Sequence, residues 1–379
     1  MSSIKPFHVM DILARAHQLE AEGRDIVHME VGEPDFVTLP EITEAGRKAL
    51  ADGKTHYTAA TGLPQLREAI SAYYQREYNR LVPAEQVVVT PGASGALQLA
   101  LGVTINPGDG VLMADPGYPC NRHMVSMFGG KVQSVPVDAE TGFQLNEQLV
   151  RRYWQPDTKA VMLASPSNPT GTIIEHGEIT RICDYVGSRN GVVIADEIYH
   201  GLVYGDPVET AARYNDHVIV INSFSKYFGM TGWRVGWLVA PRELVGPIDH
   251  LAQNIFLSVS TPAQHAAVAA LSASLKPALD ERRDLFRQRR DYLLTAINET
   301  GFNVPALPQG AFYIYADSSG LAADSLELSQ RLLEHAGVAI TPGLDFGSHG
   351  HADYVRFAYT TGMDRLVAGI ESIQKYLGA

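Results

Sequence analysis

Five short apolar runs constrain this chain more than any other feature: residues 87–90 (Val-Val-Val-Thr), 111–114 (Val-Leu-Met-Ala), 160–164 (Ala-Val-Met-Leu-Ala), 191–195 (Gly-Val-Val-Ile-Ala) and 218–222 (Val-Ile-Val-Ile-Asn). They are far shorter than the ~18 apolar residues of a membrane span, and their lack of polar alternation marks strands buried on both faces. Helical or looped segments separate them, the first being Ser94 to Leu101, where Leu97, Ala100 and Leu101 recur at helical spacing. Buried strands alternating with helices predict an α/β unit built on a mostly parallel sheet. From about residue 280 the texture changes to a long charged helical stretch, Glu281 to Ile297, followed by Gly310-Ala311-Phe312-Tyr313-Ile314-Tyr315, which reads as a second, α+β unit. A chain of 379 residues with 45% apolar content can support one large core and a smaller one.

Composition narrows the function classes. A formal net charge of −12 argues against a general nucleic-acid surface, which needs clustered Lys and Arg. It leaves room for a local basic pocket holding one small anion. Two cysteines, Cys120 and Cys183, make no disulfide framework and lack metal-site spacing. The segment Met1-Ser2-Ser3-Ile4-Lys5-Pro6-Phe7-His8 has no uninterrupted apolar stretch before Asp11, so the expectation is a cytoplasmic protein with no membrane partner.

In open α/β sheets ligands sit beyond the carboxyl ends of the strands. After Val218 to Ile221 comes Asn222-Ser223-Phe224-Ser225-Lys226, with Arg234 eight residues past the lysine. An amine there can condense with a carbonyl, while hydroxyls and a guanidinium can hold a phosphate. Pyridoxal 5′-phosphate (PLP) carries both an aldehyde and a phosphate. A lysine alone would be read as a solvated surface residue; the combination after a buried strand points to the cofactor.

This stretch resembles the lysine motif of the class I/II aminotransferases, the fold-type I PLP family of the aspartate aminotransferase kind. Ser165-Pro166-Ser167-Asn168-Pro169-Thr170-Gly171 resembles the family's asparagine motif, Asp196-Glu197-Ile198-Tyr199 its aspartate and tyrosine motif, and Tyr354-Val355-Arg356-Phe357 its C-terminal arginine motif. Gly32-Glu33-Pro34-Asp35-Phe36, Tyr57-Thr58-Ala59-Ala60-Thr61-Gly62 and Thr90-Pro91-Gly92-Ala93-Ser94 agree in order, and the likeness runs over essentially the whole chain. It implies a large α/β domain with a mixed, mostly parallel sheet sandwiched by helices, over residues 46–280. A small α+β domain is implied over 281–379, joined by an N-terminal arm, 1–45. A homodimer acting on small-molecule amino and 2-oxo acids is implied as well.

Each motif has its own physical reason. Lys226 would carry the cofactor as a Schiff base and then move the substrate's Cα proton. Asp196, following a buried strand, would keep the pyridine nitrogen protonated, and Tyr199 and Asn168 would donate to the cofactor's phenolic oxygen. Gly92, Ala93 and Ser94 open a helix whose free N–H groups suit a phosphate. Ser223, Ser225 and Arg234 complete that cup, and the resemblance implies that Tyr57 reaches it from a partner subunit. Tyr118 stands where the family stacks a ring on the pyridine face. Arg356, in a strand of large residues, needs a buried anion, either a substrate carboxylate or an internal acid. Gly32 stands where the family's backbone approaches that carboxylate.

The run Gly92-Ala93-Ser94-Gly95-Ala96 is not a nucleophile elbow, because alanine takes the second glycine position. Walker A, dinucleotide and H-E-x-x-H patterns are missing, and Asp196 to His200 is too sparse to predict a metal. The expected reaction is transfer of an α-amino group between an amino acid and a 2-oxo acid, in ping-pong fashion through pyridoxamine phosphate. A PLP-dependent carbon–sulfur β-lyase and a PLP-binding regulator stay open, since fold does not settle function. Ser94 stands where aspartate-handling relatives often carry lysine, so aromatic, alanine and methionine-type donors, with 2-oxoglutarate or pyruvate as acceptor, stay open too.

Overall fold

The apolar runs become five strands of a seven-stranded sheet in the computed structural model, which describes residues 7–213 and 217–378. Met1–Pro6, read above for a leader, lie outside the described residues. In chain order the strands are β1 (Val27–His28), β2 (Val87–Thr90), β3 (Gly110–Asp115), β4 (Lys131–Pro136), β5 (Thr158–Ala164), β6 (Val192–Asp196), β7 (Val218–Ser223), β8 (Gly236–Val239), β9 (Tyr313–Asp317), β10 (Val338–Ala339), β11 (Thr341–Pro342) and β12 (Tyr354–Ala358). The large sheet has the order β2-β8-β7-β6-β5-β3-β4, and only β8 runs antiparallel to its neighbours. It is therefore the mixed, mostly parallel sheet expected. Two strands of this large sheet were not foreseen. β4 alternates exposed and buried residues at the sheet edge, and β8, Gly-Trp-Leu-Val, lies hidden at the end of the lysine segment.

The double burial has a simple origin in the two-residue period of a strand. Val218 and Val220 of β7 enter one core, together with Val161 and Val193. Ile219 and Ile221 enter the opposite one, with Met162 and Ile194. The first four α-helices in chain order are α1 (His8–Ala21), α2 (Pro40–Ala51), α3 (Pro64–Tyr78) and α4 (Gly92–Thr104), and of these α1 and α4 border the site. α4 sends Leu97 and Leu101 into the second core, against Leu238 of β8. The wall it forms fixes where its N-terminus points.

The smaller unit holds an antiparallel sheet, β11-β12-β9, beside the parallel pair β1 and β10. Its core joins Phe312, Ile314 and Phe357 with Val27 and Met29 from the N-terminal arm. A single helix, Lys276–Asn298, runs between the units: Leu279 packs in the large core, and Phe286, Leu293 and Ile297 in the small one. We propose the division 1–45, 46–280 and 281–379 on this basis. Leu39 and Ile42, near the end of the arm, already pack in the large core. Among the described residues no helix is long and apolar enough to cross a membrane.

Candidate active site

The parallel register brings the ends of three strands level: Ala164 of β5 pairs with Asp196 of β6, and Asp196 with Ile221 of β7. Beyond this carboxyl edge lies an open-mouthed cavity of about 360 Å³, bordered also by the small unit and the start of α1. Every candidate residue named from the sequence borders it except Gly92 and Tyr57. Gly92 sits just behind the wall. Tyr57 is 82% exposed, and this chain does not bring it to the cavity.

One end of the cavity is built for an anion. α4 begins at Gly92 with no side-chain cap, so its first N–H groups, including those of Ala93 and Ser94, have no intrahelical partner. Gly92 has φ +73°, and a Cβ there would stand 2.5 Å from Nη2 of Arg234. Only glycine lets the guanidinium come this close. Arg234 itself holds the left-handed conformation, φ +53°, and donates to the Thr231 carbonyl at 3.1 Å and Ser225 Oγ at 3.5 Å. Ser223 Oγ donates to Ser225 Oγ at 3.0 Å. Among the described residues no carboxylate pairs with Arg234, so a cation, two hydroxyls and a helix N-terminus converge with no protein anion between them. A phosphate satisfies all of them.

At the middle of the cavity Lys226 Nζ donates to the Gly32 carbonyl at 2.7 Å. Burial pulls its pKa down to about 8; Arg356 and Arg234 lower it further, while Glu33 and Asp196 oppose them. The amine is thus easier to deprotonate than an ordinary lysine, as a proton carrier requires. Gly32 is irreplaceable for a local reason: a Cβ would fall 1.8 Å from the Tyr313 hydroxyl. Asp196 Oδ1 accepts from the Ile198 N–H at 3.1 Å, and burial raises its pKa to about 6 against that bond and the Lys226 charge. A cationic ring nitrogen facing it would reverse the shift. Tyr199, 5% exposed, hydrogen-bonds Tyr313 through their hydroxyls at 3.0 Å.

Arg356 of β12 is 3% exposed. Its Nη1 donates to Asn168 Oδ1 at 2.8 Å, and its Nη2 donates to Thr341 Oγ1 at 3.1 Å and to the Glu30 carbonyl. With its Oδ1 occupied, Asn168 keeps its amide N–H groups for a ligand. The guanidinium lies 4.3 Å from the Tyr313 ring centre and 4.9 Å from that of Phe346. Its Nε is buried without a partner, and among the described residues no acid forms an ion pair with it. Of the two anions open from the sequence, the internal acid is missing.

These residues match PLP from end to end: an anion cup, an amine, a carboxylate at the sheet edge and two donors between. The family model "Aminotransferase class I and II" matches residues 24–370. The chain belongs to that family. It is 36% identical over 360 residues to the valine–pyruvate aminotransferase of Mycobacterium tuberculosis, covering 94% of this chain and 92% of that one. It is 34% identical over 381 residues to the aspartate/prephenate aminotransferase of Thermus thermophilus, covering 100% and 98%. A crystal structure of an aminotransferase from Mycobacterium tuberculosis superimposes with a TM-score of 0.96 at 35% identity, covering 100% of this chain and 98% of that one.

Several groups around the site of this class I and II aminotransferase gave no sequence signal. Tyr313 lay in a run read only as small-unit strand, yet it touches Tyr199, Gly32 and Arg356 at once. Glu30 contributes a backbone carbonyl, which no side-chain pattern can announce. Phe7, Val9 and Met10, at the head of α1, border the cavity. They are held there by Asp345, whose two carboxylate oxygens accept from the N–H groups of His8 and Val9 at 2.9 and 2.8 Å. Phe7 cannot cap the helix itself, and an acid more than 300 residues away does so. Tyr118 lies at the mouth, 36% exposed.

Proposed function

We propose that this aminotransferase moves the α-amino group of a neutral, apolar or aromatic amino acid to a 2-oxo acid in two half-reactions that share one cavity. The observation that carries the reading is the pair of unmatched guanidinium groups, Arg234 and Arg356, on either side of Lys226. One holds the cofactor's phosphate and the other the α-carboxylate common to donor and acceptor. PLP, when bound, supplies an electron-withdrawing ring and an aldehyde carbon that takes up the donor's nitrogen.

The chain's own residues do the rest. Arg356, steadied by Asn168, Thr341 and the Glu30 carbonyl, offers two N–H groups that fix the α-carboxylate and so orient the Cα–H bond. Lys226 Nζ, with its pKa near 8, takes that proton and returns one on the far side of the step. With the cofactor bound, Asp196 would keep its ring nitrogen cationic, Tyr199 and Asn168 would donate to its phenolic oxygen, and Tyr118 would pack on its ring. Tyr57, exposed here, would serve the phosphate of a second subunit in a homodimer.

Donor choice rests on the remainder of the wall. Among the described residues Lys226, Arg234 and Arg356 are the only cations bordering the cavity, while Phe7, Val9, Met10, Leu97 and Met124 give it an apolar side. A second, distal carboxylate finds no further guanidinium among the described residues that border the cavity, where Glu33 is an acid. Pyruvate-like acceptors fit the same logic.

The deciding experiment adds a donor with no acceptor present. One equivalent of 2-oxo acid per active site should appear, with one change in cofactor absorbance, and the reaction should stop; pyruvate should then restore the spectrum. Continuous release of ammonia from a cysteine derivative, with no such stoichiometric step for any donor in a broad panel, would establish the lyase instead. A dicarboxylate preferred over every neutral donor would overturn the substrate assignment alone.

A further inference from the structure

We propose that His17, Glu20 and His28 form a binding site for a borderline-soft divalent cation of the Zn²⁺ class on the outer face of α1, with Glu30 as the buried carboxylate that orients it. His17 and Glu20 lie three residues apart on α1 and so share one face. His28 of β1 rises opposite them, and one ligand atom from each of the three lies within 4.8 Å of the others.

The pair His28 Nε2 and Glu20 Oε1 is already 3.1 Å apart. Two ligands at Zn²⁺ distances in a tetrahedron stand about 3.3 Å apart. His17 and Glu20 are exposed, and the rings of His17 and His28 have their centres 5.8 Å apart, so a rotation of the His17 side chain brings in the third ligand. A fourth position stays open to water.

What distinguishes this cluster from an ordinary surface ion pair is the other side of His28. Its Nδ1 is bonded to Glu30 Oε1 at 2.7 Å, and Glu30 is completely buried. Metal-bound histidines characteristically give their second ring nitrogen to a carboxylate, which sets the tautomer and turns the remaining lone pair outward. Here the Nε2 side of the ring faces Glu20 and His17, and a cation binding there replaces the proton that Nε2 shares with Glu20. Glu30 Oε2 is buried without any partner, so the bond of Oε1 to His28 is what engages this carboxylate. Two imidazoles and one carboxylate suit Zn²⁺, Ni²⁺ or Cu²⁺; Mg²⁺ and Ca²⁺ demand more oxygen ligands. The competing account is a simple tether, in which His28 bridges two acids to hold α1 on β1. A tether has no use for His17.

The test titrates the holoenzyme with Zn²⁺ alone by calorimetry, with Mg²⁺ as the comparison. One Zn²⁺ should bind per chain. His17→Ala and Glu20→Gln, both at the surface, should each weaken it by at least about tenfold, and Glu30→Gln by about 10- to 100-fold. His17→Ala should keep full transaminase activity, which certifies its fold. Zn²⁺ binding of equal strength in wild type and His17→Ala, or Mg²⁺ binding as tightly as Zn²⁺, would overturn the site and leave the tether.

Discussion

Arg356 Nη1 donates to Asn168 Oδ1 over 2.8 Å, a bond that joins β12 of the small unit to the loop following β5 of the large one. It holds the guanidinium plane still without neutralising it, because the partner is an amide and not an acid. Arg356→Lys keeps a charge but loses the planar fork. The expected result is a fall in kcat/KM of at least about a hundredfold, roughly 2.7 kcal/mol, for donor and acceptor alike. Cofactor retention should not change. Steady-state kinetics on both half-reactions checks this, and a loss confined to one substrate would show that Arg356 serves a side chain, not the α-carboxylate.

Lys226→Ala should abolish the borohydride-reducible link between protein and cofactor while leaving the anion cup able to hold it. Mass spectrometry of reduced wild-type enzyme should place the label on Lys226; a label on Lys159 would sink the assignment. Asp196→Asn removes the anion with little change in shape, so turnover should fall far more than cofactor affinity. A fall of less than about tenfold, ~1.4 kcal/mol in the barrier, would mean that Asp196 does not face the ring nitrogen.

Asp345 caps α1 from across the chain, and α1 carries the apolar wall of the cavity. Asp345→Ala should loosen the head of that helix by about 0.5–2 kcal/mol, the usual cost of a lost N-cap acceptor. KM for apolar donors should rise several-fold, and protease cleavage near Phe7 should accelerate. An unchanged KM with unchanged proteolysis would remove Asp345 from this role.

Glu197 is 3% exposed and accepts from Thr210 Oγ1 at 2.8 Å and from the Ala211 N–H at 2.6 Å. Burial nevertheless pushes its pKa up to about 8 from 4.5, and burial pushes the neighbouring His200 down to about 3 from 6.5. Between pH 4.5 and 8 the folded chain keeps a proton on Glu197 that the unfolded chain has lost, so this group makes stability fall as pH rises. His200 acts in the opposite sense between pH 3 and 6.5, where the unfolded chain binds the extra proton. Of these two groups only Glu197 acts above about pH 6.5. Wild type should therefore lose about 1–2 kcal/mol relative to Glu197→Gln between roughly pH 6.5 and 8. Thermal melts of both proteins across that range measure it; parallel curves would mean that Glu197 is ionised in the fold.

The large sheet and the chemistry close to it were legible in the order of residues alone. Val218 to Ile221 could only be a doubly buried strand, and the residues after such a strand lie at its carboxyl edge, so Lys226 and Asp196 could be read as a pair before any coordinates. Local rules carry that far because strand period and helix N-termini depend on neighbours in sequence. β4 escaped because an edge strand shows polar alternation, and β8 because Gly-Trp-Leu-Val is not a run of aliphatic residues. The remaining contacts belong to the packing of distant segments. Tyr313 beneath Arg356, the Glu30 carbonyl on its Nη2 and Asp345 on the head of α1 join residues as far as 337 positions apart. Backbone carbonyls have no residue type to read, and a buried charge such as Arg356 accepts an amide, a hydroxyl or an acid with equal local logic. Which one it meets is set by how the two units pack, and that packing left Arg356 without an acid among the described residues.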